Sequence, residues 1–402
     1  MPLQVTPERL VAGGDALARD ADGRVVFVTD ALPGEVVEVD LVDERRDFAR
    51  ARLSRIVTPS ADRVGAPCPK VASGCGGCSW QHLALPAQRR ARREIVREAL
   101  VRQGRLTDPV VLAGPDVPAA GVRTTMRVGV DARGRLGLRA RASRDVVALD
   151  ECTIAHPALV ELLGGVTVEG ADEVLIRVGA ATGERLMAWT GRRRVTPRGV
   201  PDDVALGGDA WVHEVVAGAR LRVSTNSFFQ ASPQAAEALV ECVAEALVPL
   251  DDTVTFVDAY GGVGLFSATV GRRAGRVVVL ESNRDACSDA RSNLVTGDVH
   301  VVQTAVEEWD PGIGSGPGLD PDGRRYAVVA DPAREGLGRK GVEALVRLTA
   351  ERLVLVSCDA AALGRDARLL AEHGYRHVSS TVIDAFAHSH HVEVVTRFDR
   401  AS

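Results

Sequence analysis

The chain has 402 residues, 46% of them apolar, and is therefore long enough for two or three domains with hydrophobic cores. Its formal net charge of -5 argues against a protein that wraps nucleic acid over its whole surface. Neither an apolar run of about eighteen residues nor an N-terminal leader pattern occurs. We therefore expect a soluble, cytoplasmic protein that does not associate with a membrane.

Residues 1–58 contain short alternating strands between Gly and Asp turns, which predicts a small β-barrel. Residues 59–222 combine a helix, a connection at Leu106 to Gly121 and several strand-like runs, which predicts a central α+β domain. Residues 223–402 alternate helices and strands, which predicts an α/β domain of parallel strands joined by crossovers. Within it, the Gly- and Pro-rich insert Pro311 to Gly323 is predicted to lack regular structure.

Nearly all the positive charge is arginine, since Lys70 and Lys340 are the only lysines. A run at Arg192 to Arg194 forms one cluster, and a predicted helix near Pro86 carries another. The helix cluster comprises Arg89, Arg90, Arg92, Arg93, Arg97, Arg102 and Arg105. Guanidinium groups bind phosphates and stack on bases, so both clusters are candidate RNA contacts. The alternative is a solvated helix face.

Three cysteines lie close together in PCPKVASGCGGCSWQH: Cys68, Cys75 and Cys78. Glycines between them would let the thiolates converge on one centre, and Cys152 is the nearest available fourth ligand. Four thiolates suit an iron-sulfur cluster or a zinc ion. The total of seven cysteines is odd and unevenly spaced, which does not predict a disulfide framework.

A glycine turn, DAYGGVGLF, follows an apolar strand and precedes a helix. Glu281 closes the next strand, from which a carboxylate can bind ribose hydroxyls. No third glycine follows Gly264 at the spacing used for a pyrophosphate. The motif therefore favours a nucleoside without phosphates, such as S-adenosylmethionine, over NAD. The alternative is a purely structural turn.

Cys358 follows the apolar strand 352–357, and Glu393 lies further along in HVE. A thiol at the carboxyl edge of a parallel sheet, with a carboxylate base, suggests covalent catalysis. The alternative for Cys358 is a buried structural thiol, and the alternative for Glu393 is a surface residue on a strand. The neighbouring histidines at 388, 390 and 391 could also bind a metal with Glu393, as in a hydrolase, but no second carboxylate motif accompanies them.

Together these motifs resemble the RNA uracil-5-methyltransferases that carry a TRAM domain and an iron-sulfur cluster, over nearly the whole chain. The resemblance implies an OB-like TRAM barrel, a central iron-sulfur domain and a C-terminal Rossmann-like methyltransferase domain. It implies Cys358 as the nucleophile and Glu393 as the base. It also implies a set of ligands for each cofactor: Gln230, Tyr260, Glu281 and Asp331 for S-adenosylmethionine, and Cys68, Cys75, Cys78 and Cys152 for a 4Fe-4S cluster.

The chain departs from the family pattern at several points. Asp331 is followed by Pro-Ala-Arg, without a second proline, and Cys358 by Asp359-Ala360 in place of Asn-Pro. The first cysteine spacing is one residue longer, and Ser232 replaces an Asn. Every reacting group is nevertheless present.

From the resemblance, we expect an enzyme that methylates carbon 5 of a uridine in ribosomal or transfer RNA and that works as a monomer. A radical methylthiotransferase is one alternative, although that class needs a different cysteine spacing. A non-catalytic RNA-binding protein with a structural metal is the other.

Overall fold

The structure is a computed structural model that describes residues 3–191, 194–312 and 318–401. Arg192, Arg193 and the middle of the Pro311 to Gly323 insert lie outside the described residues. The N-terminal segment forms one six-stranded sheet in the order β1-β5-β6-β4-β3-β2. Its strands are β1 (Leu3–Val5), β2 (Arg9–Leu10), β3 (Ala16–Arg19), β4 (Val25–Thr29), β5 (Val36–Glu44) and β6 (Phe48–Thr58). Alternate residues, such as Val26 and Val28, are fully buried, as the period of two predicts.

The next two elements are α1 (Leu85–Arg102) and β7 (Val111–Ala113). They fall within the predicted central domain, yet both pack elsewhere. α1 lies against a helix near the C-terminus, and β7 forms an edge strand of the C-terminal sheet. These two elements therefore pack with the C-terminal part of the chain, and Leu106 to Gly121 contributes β7 to the C-terminal sheet as well as connecting the neighbouring segments. A local pattern could not show this, because both partners lie more than two hundred residues away in the sequence.

The central sheet has the order β10-β9-β8-β12-β13-β15 and is covered by α2 (Pro157–Gly165). A separate pair is formed by β11 and β14, and a hairpin by β16 and β17. These strands are β8 (Thr125–Val130), β9 (Leu136–Arg139), β10 (Val146–Ala148), β11 (Thr167–Glu169), β12 (Glu173–Val178), β13 (Arg185–Thr190), β14 (Thr196–Arg198), β15 (Val204–Leu206), β16 (Trp211–Val216) and β17 (Ala219–Ser224).

The C-terminal sheet has eight strands in the order β20-β19-β18-β21-β22-β24-β23-β7. Its own strands are β18 (Val254–Ala259), β19 (Arg276–Glu281), β20 (Val299–Gln303), β21 (Arg325–Ala330), β22 (Arg352–Ser357), β23 (Tyr375–Ile383) and β24 (Glu393–Arg400). The helices are α3 (Pro233–Ala246), α4 (Leu265–Thr269), α5 (Arg284–Asn293), α6 (Gly338–Val346) and α7 (Ala360–Glu372).

The expectation of parallel strands is confirmed for β18 to β22, which pair with one another in parallel. It is wrong for β24, which runs antiparallel to both β22 and β23. The short segment between β23 and β24 contains no crossover helix, so the chain reverses direction there. Among the described residues, no helix is both long and apolar enough to span a membrane.

Candidate functional site

The predicted glycine turn lies between β18 and α4, at the carboxyl edge of the sheet. Gly262 and Gly264 have φ angles of 56° and 87°, in the left-handed region that glycine adopts without steric cost. Gly264 is also the residue that precedes α4. The turn thus leaves the backbone open to close approach by a ligand, in a place where doubly wound sheets bind nucleotides.

Glu281 lies at the end of β19, as predicted, and its carboxylate faces the glycine turn. It accepts hydrogen bonds from the backbone N–H of Gly262 at 3.0 Å and of Asn283 at 2.6 Å. These bonds fix the carboxylate beside the turn. Because a carboxylate has about four acceptor positions, it can still accept the two ribose hydroxyl protons.

Asp258, near the end of β18 and just before the glycine turn, is a buried acid that is not among the predicted site residues. One of its oxygens accepts from the backbone N–H and the hydroxyl of Ser267, at 3.0 and 2.6 Å, whereas Oδ1 has no hydrogen-bond partner. Burial raises the pKa of Asp258 to about 7. An unpaired buried acceptor is costly, and because the Asp258 side chain is fully enclosed, it would act on a bound cation through its charge and not by direct contact. The signal that could have found it is an acid within a strand that is otherwise apolar.

Tyr260 adopts a φ of 59°, which is uncommon for a residue with a side chain. Its hydroxyl donates to Glu307 Oε1 at 2.8 Å. Burial, together with this carboxylate, raises the pKa of Tyr260. Because the hydroxyl is already engaged, Tyr260 would contact a cofactor through its ring or its backbone.

Gln230 lies in the segment between β17 and α3 and is buried. Within the described part of the chain its side-chain amide makes no hydrogen bond, so the amide remains available to a ligand. Phe228, in the same segment, is 72% exposed. Ser232, in place of the usual Asn, caps α3 by accepting from the N–H of Ala235 at 3.2 Å.

Cys358, Glu393 and Asp331 meet at the carboxyl edge of the sheet. Cys358 follows β22 and Glu393 begins β24, whose antiparallel register pairs Ser357 with Val394. Asp331 follows β21, the parallel neighbour of β22. The sequence prediction that Cys358 and Glu393 occupy one cleft edge is consistent with this geometry.

Burial, and then the charges of neighbouring acids, raise the pKa of all three groups. Burial, followed by the charges of Glu393 and Asp331, raises the pKa of Cys358 to about 11, and Arg334 opposes this shift. Burial and then Asp331 raise the pKa of Glu393 well above its usual range. Burial and then Asp258 raise the pKa of Asp331 to about 7. A carboxylate with a raised pKa is a stronger base, which suits proton abstraction at neutral pH.

The four predicted metal-binding cysteines, Cys68, Cys75, Cys78 and Cys152, line a single cavity. Burial raises the pKa of Cys78 and Cys152, and the neighbouring thiolates add to that rise. Gly77 is needed there, because a Cβ on it would lie 2.6 Å from a methyl of Leu138 and 3.6 Å from the sulfur of Cys75. Among the described residues, however, no group of three or more Cys, His, Asp or Glu side chains could hold a metal ion as they stand.

The histidines near Glu393 pack against the start of α1 and not around a metal. His390 Nδ1 lies 3.1 Å from the hydroxyl of Ser79, and the backbone N–H of His388 donates to Gln88 Oε1 at 2.8 Å. Within the described part of the chain, these histidines and Glu393 do not form a group of three or more side chains that could hold a metal ion.

The arginines of α1 do not form one RNA-binding face. Arg92 is only 1% exposed, pairs with Asp384 and donates to the carbonyl of Ser389 at 2.7 Å. Arg89 pairs with Asp384 at 2.9 Å and with Asp116 at 2.6 Å. The prediction of phosphate contacts is thus wrong for Arg92 and is weakened for Arg89, because carboxylates already neutralise both groups.

The TRAM domain model matches residues 2–54. An RNA methyltransferase of Streptomyces avermitilis, whose specific activity is uncharacterised, is 35% identical over 97% of this chain and 96% of its own length. The 23S rRNA (uracil(1939)-C(5))-methyltransferase of Halomonas elongata is 32% identical over 96% of this chain and 86% of its own.

Among solved structures, the Pyrococcus abyssi tRNA (uracil-54, C5)-methyltransferase in complex with S-adenosyl-L-homocysteine is 21% identical. The alignment covers 98% of this chain and 99% of the Pyrococcus abyssi chain, with a TM-score of 0.73, so the two proteins share a fold. With the full-length relatives, this places the protein in a family: it belongs to the RNA uracil-C5 methyltransferases that carry an N-terminal TRAM domain.

Proposed function

We propose that the protein transfers a methyl group from S-adenosylmethionine to carbon 5 of a uridine in ribosomal or transfer RNA. The observation that carries this proposal is the meeting of Cys358, Glu393 and Asp331 at the sheet edge that also holds the glycine turn. The family membership supports the reaction class and speaks against a radical methylthiotransferase. As in the sequence analysis, we expect the enzyme to act as a monomer.

The residues present fit the cofactor. S-adenosylmethionine would supply an electrophilic methyl group on a cationic sulfonium. Asp258, Glu281 and Asp331 surround the glycine turn with carboxyl groups, and Asp258 Oδ1 lacks a partner, so cationic groups would be stabilised there. Glu281 would accept the ribose hydroxyl protons, and Gln230 would offer its free amide.

Carbon 5 of uracil is a poor nucleophile until the ring is activated. The Cys358 thiolate would add to carbon 6 and form a C–S bond, which moves an electron pair onto the enolate. Carbon 5 would then attack the methyl group, and the S–CH3 bond of the sulfonium would break. Glu393 would remove the proton from carbon 5, so that the double bond re-forms and the Cys358 thiolate leaves. The Cys358 thiol would first give its proton to Asp331, whose pKa is raised to about 7, and Glu393 in its carboxylate form would then take the proton from carbon 5.

The uridine must be unstacked before Cys358 can reach carbon 6, since both faces of the ring are covered in a helix. Phe228, beside Gln230, and Trp211, 41% exposed, present rings on which displaced bases could stack. The Halomonas elongata relative acts on 23S rRNA, which makes ribosomal RNA the first substrate to test.

We further propose that Cys68, Cys75, Cys78 and Cys152 hold a 4Fe-4S cluster. Their convergence on one cavity supports a bound inorganic group. A tetrahedral zinc ion requires sulfurs about 3.8 Å apart. A four-iron cluster binds each cysteine to a different iron and so accepts wider spacing of the sulfurs.

The test of the reaction is a covalent trap. RNA containing 5-fluorouridine has no proton on carbon 5 for Glu393 to remove, so the enzyme should stay attached to it through Cys358. We expect an adduct that survives denaturing electrophoresis. The adduct should carry a methyl group only when S-adenosylmethionine is present. Failure to form this adduct with ribosomal and transfer RNA would favour the non-catalytic RNA-binding alternative.

A further inference from the structure

The segment Ser224 to Gln230 joins the hairpin to α3 and carries the proposed cofactor ligand Gln230 at its end. After Ser224, which is the last residue of β17, it has no regular secondary structure. Its conformation must therefore be set by contacts from other elements. Buried charged side chains supply these contacts from two opposite sides.

Arg177, on β12 of the central sheet, provides the contacts on one side. Its guanidinium donates to the backbone carbonyls of Ser224 at 2.6 Å and Ser227 at 2.9 Å, and to the hydroxyl of Thr125 at 3.1 Å. The side chain is buried, and burial lowers the pKa of Arg177 to about 10, so it remains charged at neutral pH. A planar guanidinium can span two carbonyls in this way, whereas an ammonium offers donors from a single point.

Asp289, on α5, provides the contacts on the other side and is fully buried. Its carboxylate accepts from the backbone N–H and the hydroxyl of Ser224, both at 2.7 Å. It also accepts from the hydroxyl of Ser227 at 2.6 Å. The same two serines are thus held by a cation through their carbonyls and by an anion through their donors.

The far end of the segment is also fixed by the central domain. The backbone N–H of Thr124 donates to the carbonyl of Ala231 at 2.7 Å, immediately after Gln230. Thr124 adjoins Thr125, which accepts from Arg177. Both ends of the segment are therefore tied to one corner of the central sheet.

We infer that Arg177 and Asp289 are positioning residues that hold the Ser224 to Gln230 segment in the conformation that binds the cofactor. A side chain of the central domain thereby sets the affinity of a site in the C-terminal domain. The inference deepens the proposed function and rests on it only in taking S-adenosylmethionine as the ligand.

The experiment measures S-adenosylmethionine binding to the full-length protein by calorimetry, without RNA. Arg177→Met keeps the aliphatic stem and removes the guanidinium, and we expect the Kd to rise about tenfold or more, which corresponds to the loss of one or two charge-assisted hydrogen bonds. Arg177→Lys should recover part of the affinity. Arg127→Met is the matched control, because Arg127 is an exposed arginine on the neighbouring β8 that pairs with Glu173. Its Kd should equal that of the wild type.

Reversible unfolding also raises the apparent Kd, by the reciprocal of the folded fraction. Urea denaturation of each variant therefore gives the folded fraction, and a rise in Kd larger than that fraction explains is the effect of positioning. A wild-type Kd in folded Arg177→Met would overturn the inference. If that variant does not fold, Ser227→Ala provides the test, because it removes the hydroxyl that donates to Asp289. We expect its Kd to be a few times higher than that of the wild type. An unchanged Kd would overturn the inference. If the wild type binds S-adenosylmethionine but methylates no RNA, the proposed function is wrong. The Kd values of the variants would still test the inference about Arg177 and Asp289.

Discussion

Cys358 and Glu393 lie at the same edge of the sheet because β22 and β24 are antiparallel. Cys358 comes directly after the last residue of β22, whereas Glu393 is the first residue of β24. Had β24 been parallel, its first residue would lie at the opposite edge, a whole strand length from the thiol. The reversal of one strand thus brings the proposed nucleophile and base together.

Replacing Cys358 with Ala should abolish methylation and the 5-fluorouridine adduct. S-adenosylmethionine binding should change little, because the thiol acts on the base and the cofactor carboxylates remain. Calorimetry for the cofactor and denaturing electrophoresis for the adduct check both parts. An adduct in Cys358→Ala would assign the nucleophile to another residue.

Glu393→Gln should stop the reaction at a later step. Addition of Cys358 and methyl transfer can proceed, but the proton on carbon 5 cannot be removed, so elimination stalls. With ordinary RNA we therefore expect a methylated protein–RNA adduct to accumulate, seen by electrophoresis and by label from the methyl group. Cys358→Ala/Glu393→Gln is the control and should give no adduct. Normal turnover by Glu393→Gln would exclude this residue as the base.

The sequence predicted the strand ends that carry Glu281 and Cys358, because an apolar run followed by a polar residue marks a buried strand that reaches an edge. It did not predict the direction of β24, which depends on a connection too short for a crossover helix. Nor could it show that Arg92 is buried, since its partner Asp384 lies 292 positions away. Asp258 was missed because a single acid within an apolar strand does not by itself indicate a site, and its unpaired Oδ1 is seen only in the structure.

The affinity for S-adenosylmethionine should rise with pH between 6 and 8. The pKa values of Asp258 and Asp331 are raised to about 7 in the free protein, so both are largely protonated at pH 6 and ionised at pH 8. A cationic ligand binds the ionised carboxylates better, so its binding at low pH requires them to release protons. The affinity for S-adenosylmethionine should therefore rise about tenfold from pH 6 to pH 8. Calorimetry in buffers of different ionisation enthalpy measures the released protons. Asp331→Asn should flatten the dependence, and an equally steep curve in that variant would contradict the assignment.

Arg92→Met should destabilise the protein, in contrast to Arg90→Met. Arg92 is buried, pairs with Asp384 and lies over the Trp80 ring at 5.7 Å, so its loss leaves a buried carboxylate with one fewer partner. We expect a loss of about 3 kcal/mol in the free energy of unfolding. Arg90 is exposed and pairs with Asp62 at the surface, so its replacement should cost less than about 1 kcal/mol. Urea denaturation compares the two, and equal stabilities would refute a structural role for Arg92.

Protein purified without oxygen should be brown and contain about four irons per chain, if the cavity lined by the four cysteines holds a 4Fe-4S cluster. Cys75→Ser should lose the colour and most of the iron, because one thiolate ligand is removed. Cys242→Ser is the control: Cys242 is also buried but lies in α3, outside that cavity, so its iron content should match the wild type. Colourless protein with one zinc per chain would refute the cluster.

The four cysteines lie in a different predicted domain from Cys358. We therefore expect loss of the cluster to lower the stability of the protein before it affects formation of the Cys358 adduct. Thermal denaturation measures the stability, and the 5-fluorouridine trap measures the adduct.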